Sequence, residues 1–154
     1  MIKTLKIAVG ILIGLMIVIQ FIRPERISTD RKMDSDIRNH MTIPSHVEEV
    51  LVRSCYDCHS MNTVWPWYSN LTPMSWLIAV DVNKGRKQLN FSFWEDYSSM
   101  IQTAKLSLIC NTIQTGKMPL KQYTMIHKDA KLTHENVDEI CKWAEEHMKR
   151  LRDQ

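Results

Sequence analysis

Cys55-Tyr56-Asp57-Cys58-His59 is the stretch on which the reading of this chain turns. Two thiols three positions apart, followed at once by a histidine, have the spacing by which a c-type haem is attached. On a helical turn both sulfurs reach the vinyl groups of one porphyrin, and the adjacent imidazole reaches the iron from one face. Other uses of paired thiols fit less well. A thioredoxin-like pair needs a βαβ setting, which the flanking pattern lacks. A zinc site needs a second ligand pair at matching spacing, whereas Cys110 and Cys141 stand singly. The expectation is one covalently bound haem c, attached through Cys55 and Cys58, with His59 as the proximal iron ligand.

Upstream of the motif, Pro44-Ser45 opens the domain. Ser45 and Glu48 are spaced as a capping box, and Val47, Val50, Leu51 and Cys55 fall on one face of the helix that delivers the cysteines. His46, in its first turn, reads as solvent-facing. Downstream, Ser60 to Asn70 reads as a loop carrying Trp65, Trp67 and Tyr68 around Pro66. Such rings are costly to leave in water, and either a flat macrocycle or a protein core would cover them. Thr72-Pro73 suits an N-cap and first helical position, opening a helix through about Asn83 with Trp76, Leu77 and Val80 as its apolar face and Ala79 beside it. Gly85 to Asn90 is polar and basic, and Phe91-Ser92-Phe93-Trp94 is a second aromatic patch.

Ser98 to Thr115 carries Ile101, Ala104, Leu108, Ile109 and Ile113 at helical spacing, and Gly116 is a natural stop. Lys117-Met118-Pro119-Leu120 follows at once. Pro119 fixes its own backbone angle and pushes Met118 towards an extended conformation, which suits presenting a thioether to iron. Most of the ten methionines are expected in core packing. Met118 stands apart because it lies in a loop after a helix stop, and it is the expected distal ligand. A last helix starts at Thr133, with Leu132 and Val137 as a hydrophobic staple. Its expected buried face is Val137, Ile140, Cys141, Ala144, Met148 and Leu151, with Trp143 on the flank. Cys110 and Cys141 both point inward on these helices. Two separate thiols are the expectation, with a disulfide left open.

The N-terminus is different in kind. After a basic head with Lys3 and Lys6, Ile7 to Ile22 carries no charge. Sixteen helical residues rise about 24 Å, a little less than a bilayer core of about 30 Å. The exit, Gln20-Phe21-Ile22-Arg23-Pro24, offers no small-residue cleavage site, so residues 1–22 read as an uncleaved signal anchor. Residues 23–43 read as a polar tether and residues 44–154 as the haem-binding domain. That domain is formally neutral, with 13 basic and 13 acidic side chains, so the net charge of +3 resides in residues 1–43. Nothing suggests a nucleic-acid-binding face. Arg23, Arg26, Arg31 and Lys32 follow the apolar run, and the positive-inside rule alone would hold the domain in the cytoplasm. Covalent haem attachment takes place on the outer side of the bacterial inner membrane, and this overrides the rule in favour of the periplasm.

Cys-Tyr-Asp-Cys-His-Ser at 55–60, Val-Trp-Pro-Trp-Tyr-Ser-Asn at 64–70, Ser-Trp-Leu at 75–77, Gly-Lys-Met-Pro-Leu at 116–120 and Cys-Lys-Trp at 141–143 together resemble the small haem-binding-domain family of bacterial monohaem c-type cytochromes. The likeness runs from about Pro44 to Ala144. It implies an all-α, cytochrome c-like domain around haem bound to Cys55 and Cys58, with His59 and Met118 as axial ligands. It also implies an electron carrier, not an enzyme, which serves redox partner proteins from its membrane anchor. The competing reading is a haem sensor or peroxidase-like enzyme whose distal ligand leaves to admit a small molecule.

Overall fold

A computed structural model describes residues 1–26 and 33–153, and it is helical throughout, with no strand among the described residues. Helix α1 (Ile2–Ile19) has apolar side chains on every side and buries none of them against the rest of the chain. Its 18 residues rise about 27 Å, and it is long and apolar enough to cross a membrane. It begins before the uncharged run and ends before it, closing where the Gln20 backbone N–H turns to the Ile17 carbonyl oxygen.

The polar tether expected over 23–43 does not hold over its second half. Residues 27–32 of it lie outside the described residues. From Met33–Ser35 onward the chain is part of the domain. Asp36 caps α2 (Ile37–His40) by accepting from the Arg38 N–H, while Ile37 and Met41 sink into the hydrophobic core. The Thr42 carbonyl then accepts the Trp143 indole N–H at 3.1 Å and lies 2.9 Å from Nε2 of His147. Two apolar residues four apart are too few to make a visible stripe, so a polar composition concealed a segment with two deep anchors.

Helix α3 (Ser45–Leu51) buries Val47, Val50 and Leu51, as its periodicity requires. Its expected capping box does not form, since Pro44 occupies the N-cap and makes no side-chain cap. The chain then widens into a π-helical turn, Val52–Tyr56, before tightening again in α4 (Asp57–His59). Such π turns recur at functional sites. Here the turn runs straight into the Cys-x-x-Cys-His motif.

Helix α5 (Met74–Gln88) starts one residue later than Thr72-Pro73 implied, with Pro73 as N-cap, and continues through Gly85 to Gln88. Its buried residues are Ser75, Ala79, Val82 and Gly85, whereas Leu77 and Val80 remain about half exposed. The expected apolar face is therefore rotated. Helix α6 (Ser99–Gln114) shows the same kind of shift: it buries Leu106, Ile109, Cys110 and Ile113, while Ile101 and Leu108 stay partly exposed. Helix α7 (Lys121–Ile126) is short. Helix α8 (His134–Arg152) opens with a complete capping box between Thr133 and Asn136. It buries Ile140, Cys141, Trp143 and Ala144, with Val137, Met148 and Leu151 packed at the margin of the core. The most extensive helix pair is α6 with α8. Across it Cys110 and Cys141, expected as two separate thiols, are joined in a disulfide with Cα atoms 5.1 Å apart.

Candidate functional site

The motif is held from three sides. Beneath it, Tyr56 stacks on buried Phe91 with ring centroids 5.0 Å apart. The Tyr56 hydroxyl donates to Asp36 at 3.1 Å, and the Arg38 guanidinium, paired with the same carboxylate, lies 5.0 Å over the phenol ring. On a second side α5 passes so close that a Cβ on Gly85 would stand 2.6 Å from the Cys58 carbonyl oxygen. Glycine is required there for its lack of a side chain. At the exit of the motif, Arg86 donates to the Ser60 carbonyl at 2.8 Å and to the Thr63 hydroxyl at 2.9 Å.

Asp57 ties the remaining side. One carboxylate oxygen accepts the Val64 backbone N–H at 2.9 Å, and the other accepts the Tyr123 hydroxyl at 2.8 Å. The motif is thereby joined both to the loop that follows it and to α7, which follows Met118.

His59 is oriented by the backbone: Nδ1 lies 3.1 Å from the Leu89 carbonyl oxygen. With the proton on Nδ1, the other ring nitrogen, Nε2, keeps its lone pair. Burial lowers the His59 pKa below its ordinary value, partly offset by the Leu89 and Gly85 carbonyls, so the ring is neutral at pH 7. Burial also raises the thiol pKa values, with help from neighbouring negative charge, to about 12 for Cys55 and about 11 for Cys58. Both groups are therefore thiols and not thiolates, and unreactive on their own.

Met118 is placed by the end of α6. Gly116, at φ +66°, donates to the Ile113 carbonyl, and Lys117 donates to the Thr112 carbonyl, the pair of bonds that closes a helix with a glycine stop. Met118 then adds its own N–H to Thr112. This turn sends Met118-Pro119 back over the motif. Cys55, His59, Met118 and Pro119 line one cleft, walled by Leu89, Phe91 and the α6 row of Leu108, Ile109, Thr112 and Ile113. Leu108 is partly exposed because it faces this cleft and not the α8 side.

Cys58 lines an adjoining cleft with Met74, Leu77, Ile78 and Tyr123, whose lining takes up at Leu120, directly after Pro119. Three of the four expected site residues thus share one cleft, and the fourth looks into its neighbour. His127 belongs to the second cleft, where it is engaged by Tyr68 (2.6 Å) and stacked on Tyr123 with centroids 4.4 Å apart. His46 stays at the surface near Glu139. Of the aromatic loop, Tyr68 lines the second cleft, whereas Trp67 lines neither and is 76 % exposed. Among the described residues no group of three or more His, Cys, Asp or Glu converges on a metal-binding point.

A family model described as a haem-binding domain matches residues 14–146. The chain belongs to this haem-binding-domain family. Neither the curated proteins nor the solved structures offer a significant match. The residues of this haem-binding domain suit such a group. An apolar cleft admits a macrocycle, and a histidine anchored through Nδ1 has Nε2 ready for a metal, which is how ligating histidines are commonly fixed. Sequence reading missed Asp36, Gly85, Arg86 and the Leu89 carbonyl. Gly85 carried no signal with the helix expected to end near Asn83; only the continuation of α5 to Gln88 makes it a glycine within a helix, where a packing reason is the usual explanation.

Proposed function

We propose that this haem-binding domain is a membrane-anchored monohaem c-type cytochrome that carries single electrons between redox partner proteins. Cys55 and Cys58 hold one haem c by thioether bonds, and His59 and Met118 are its axial ligands. The observation that carries the reading is the His59 imidazole, anchored to the Leu89 carbonyl, in a cleft that Met118 also lines. The bound group supplies a one-electron ferric/ferrous couple.

The chain's own residues set its conditions. The hydrogen bond to Leu89 raises the basicity of the His59 ring and fixes its plane. The Met118 thioether favours ferrous iron and so raises the potential. Leu89, Phe91, Ile109 and Ile113 give the cleft an apolar wall around the bound group, which strengthens the same preference. Both ligands sit on constrained backbone, one at the end of α4 and one after the Gly116 stop, so little has to move when an electron arrives.

Helix α1 is taken as the anchor, in the bacterial inner membrane with the domain in the periplasm. The Cys110–Cys141 disulfide supports that side against the positive-inside rule, because such bonds persist in oxidising compartments. A formally neutral domain argues against strong electrostatic steering of partners. Of the basic group Lys84, Arg86 and Lys87, Arg86 is committed to Ser60 and Thr63, which leaves the two exposed lysines for docking.

Two measurements on the purified full-length protein test the proposal. Acid–acetone extraction should leave the haem on the chain. A potentiometric titration should give one reversible one-electron step, with a six-coordinate low-spin spectrum in both states. Haem that extracts freely defeats the covalent assignment. A five-coordinate spectrum that readily takes carbon monoxide would replace the electron carrier with a sensor or peroxidase-like enzyme.

A further inference from the structure

The end of α1 is not free of the domain. The Gln20 side chain accepts from the Thr72 backbone N–H at 2.9 Å and donates to the Thr72 carbonyl at 3.0 Å, a two-point bond to the backbone of one residue. Two residues on, the Ile22 carbonyl accepts the Trp76 indole N–H at 2.8 Å. Arg26 then donates to the Ser69 carbonyl at 2.7 Å and to the Asn70 side chain at 2.9 Å, with its guanidinium 4.6 Å over the Trp65 ring. The loop of residues 64–72 is thus fastened to the chain directly where α1 ends.

That loop carries apolar side chains that stand largely exposed, of which Val64 also lines the second cleft beside Cys58. Val64 and Trp67 are each 76 % exposed and Leu71 is 48 % exposed, beside Phe21 and Ile22, at 83 % and 58 %, on the α1 side. Trp67 lines neither cleft and meets the Tyr68 ring at a T-shaped angle. A largely exposed tryptophan, with an apolar body and a polar indole N–H, is a side chain at home at a membrane–water interface.

We propose that Trp67 and Leu71 are seated in the headgroup layer of the membrane that α1 enters, so that the domain lies against the lipid and is not suspended on a free tether. This rests on the reading of α1 as a membrane anchor. The occupant is lipid because the Gln20–Thr72 pair places the loop at the exit of a helix whose apolar surface is wholly unpartnered within the chain. Apolar area laid into the interface adds binding without a further spanning segment. The consequence for function is orientation. The motif segment, bound to Val64 through Asp57, is held at one fixed height and tilt above the membrane.

The test uses the full-length holoprotein in nanodiscs of phosphatidylcholine and phosphatidylglycerol. Its native cysteines are occupied by thioethers and the disulfide, so a nitroxide can be placed on Leu71→Cys alone and its collisions with oxygen and with a water-soluble nickel chelate compared in the ferric protein. Leu15→Cys in α1 and Glu135→Cys on the exposed face of α8 provide the lipid and water references. The Leu71→Cys label should have an oxygen-to-nickel ratio several-fold above that of Glu135→Cys, and Trp67→Ser should lower it. A ratio equal to that of Glu135→Cys, with Leu15→Cys still in lipid, overturns the inference and leaves the anchor intact. A water-like Leu15→Cys label removes the anchor and the inference together. A Leu71→Cys label shielded from both reagents would show the loop covered by protein, which also overturns it.

Discussion

Nδ1 of His59 lies 3.1 Å from the carbonyl oxygen of Leu89, so the ring is fixed by a backbone group that no side-chain substitution can remove. The partner is thirty residues away, past the whole of α5, and the bond leaves only Nε2 to face the cleft. His59→Gly should therefore convert the low-spin spectrum to a high-spin one while leaving a hole of imidazole shape. Added imidazole should restore the low-spin form. Absorption spectra with and without imidazole check this, and a spectrum unmoved by the substitution would take His59 off the iron.

Gly85 invites a stabilising substitution that should fail. Ala in a helix interior is favoured over Gly by about 1 kcal/mol. The new Cβ, however, would meet the Cys58 carbonyl oxygen at 2.6 Å, against backbone that cannot rotate away. Overpacking costs about 1–3 kcal/mol, so Gly85→Ala is expected to destabilise. Chemical denaturation gives the sign directly, and a higher midpoint would show that α5 can move off the motif.

Asp36 carries both the Tyr56 hydroxyl and the Arg38 guanidinium while only 1 % exposed. Asp36→Ala leaves a buried phenol without its acceptor and should cost about 1–3 kcal/mol. Tyr56→Phe removes the donor as well as the need for it, and should cost less. In the double variant the two losses should not add, because they share one bond. Additive losses would mean that Asp36 acts on the domain through Arg38 alone.

The legibility of the chain follows the range of the interactions. The Cys-x-x-Cys-His motif, the Gly116 stop and the Thr133 cap are local chemistry and could be read directly, together with an all-α fold. The faces of α5 and α6 could not. Leu77 and Leu108 line the clefts while Ala79, Gly85 and Leu106 face protein, so an apolar row alone does not tell a cleft from a core. Residues 33–43 were hidden for the opposite reason. Ile37 and Met41 are single anchors in a core drawn from distant segments, and the partners of the Thr42 carbonyl in α8 lie about a hundred residues further on. The disulfide is of the same sort, since two inward cysteines on separate helices say nothing of the distance between them.

The Cys110–Cys141 bond closes a loop of 31 residues and is expected to contribute about 3–4 kcal/mol through the unfolded chain. Protein taken from the cell envelope and denatured without reductant should therefore offer no thiol to an alkylating reagent, and two after reduction. Cys110→Ser with Cys141→Ser should unfold at lower denaturant without altering the haem spectrum. Two reactive thiols before reduction would place α6 and α8 in a reducing compartment, and the periplasmic proposal would fall with the bond.

Met118 decides between electron carrier and small-molecule haem enzyme. It shares the cleft with His59, and the Gly116 turn fixes the backbone on which it stands. If its thioether binds the iron, the ferric protein should show the weak red charge-transfer band of a sulfur–iron bond. The reduced protein should take carbon monoxide poorly, because both axial positions are filled. Met118→Ala should open the sixth position, admit carbon monoxide and lower the potential, since thioether ligation favours the ferrous state. His127 is the nearest competitor in sequence, but its Nε2 is held by the Tyr68 hydroxyl at 2.6 Å and it lines the other cleft. His127→Ala should accordingly leave the spectrum as it was, and His46→Ala likewise. A wild-type spectrum of bis-histidine type, moved by His127→Ala and indifferent to Met118→Ala, would transfer the distal ligand to the second cleft. That outcome would require Tyr68 to release His127, so Tyr68→Phe should then strengthen the iron bond, whereas with Met118 as ligand the same substitution should change nothing at the iron.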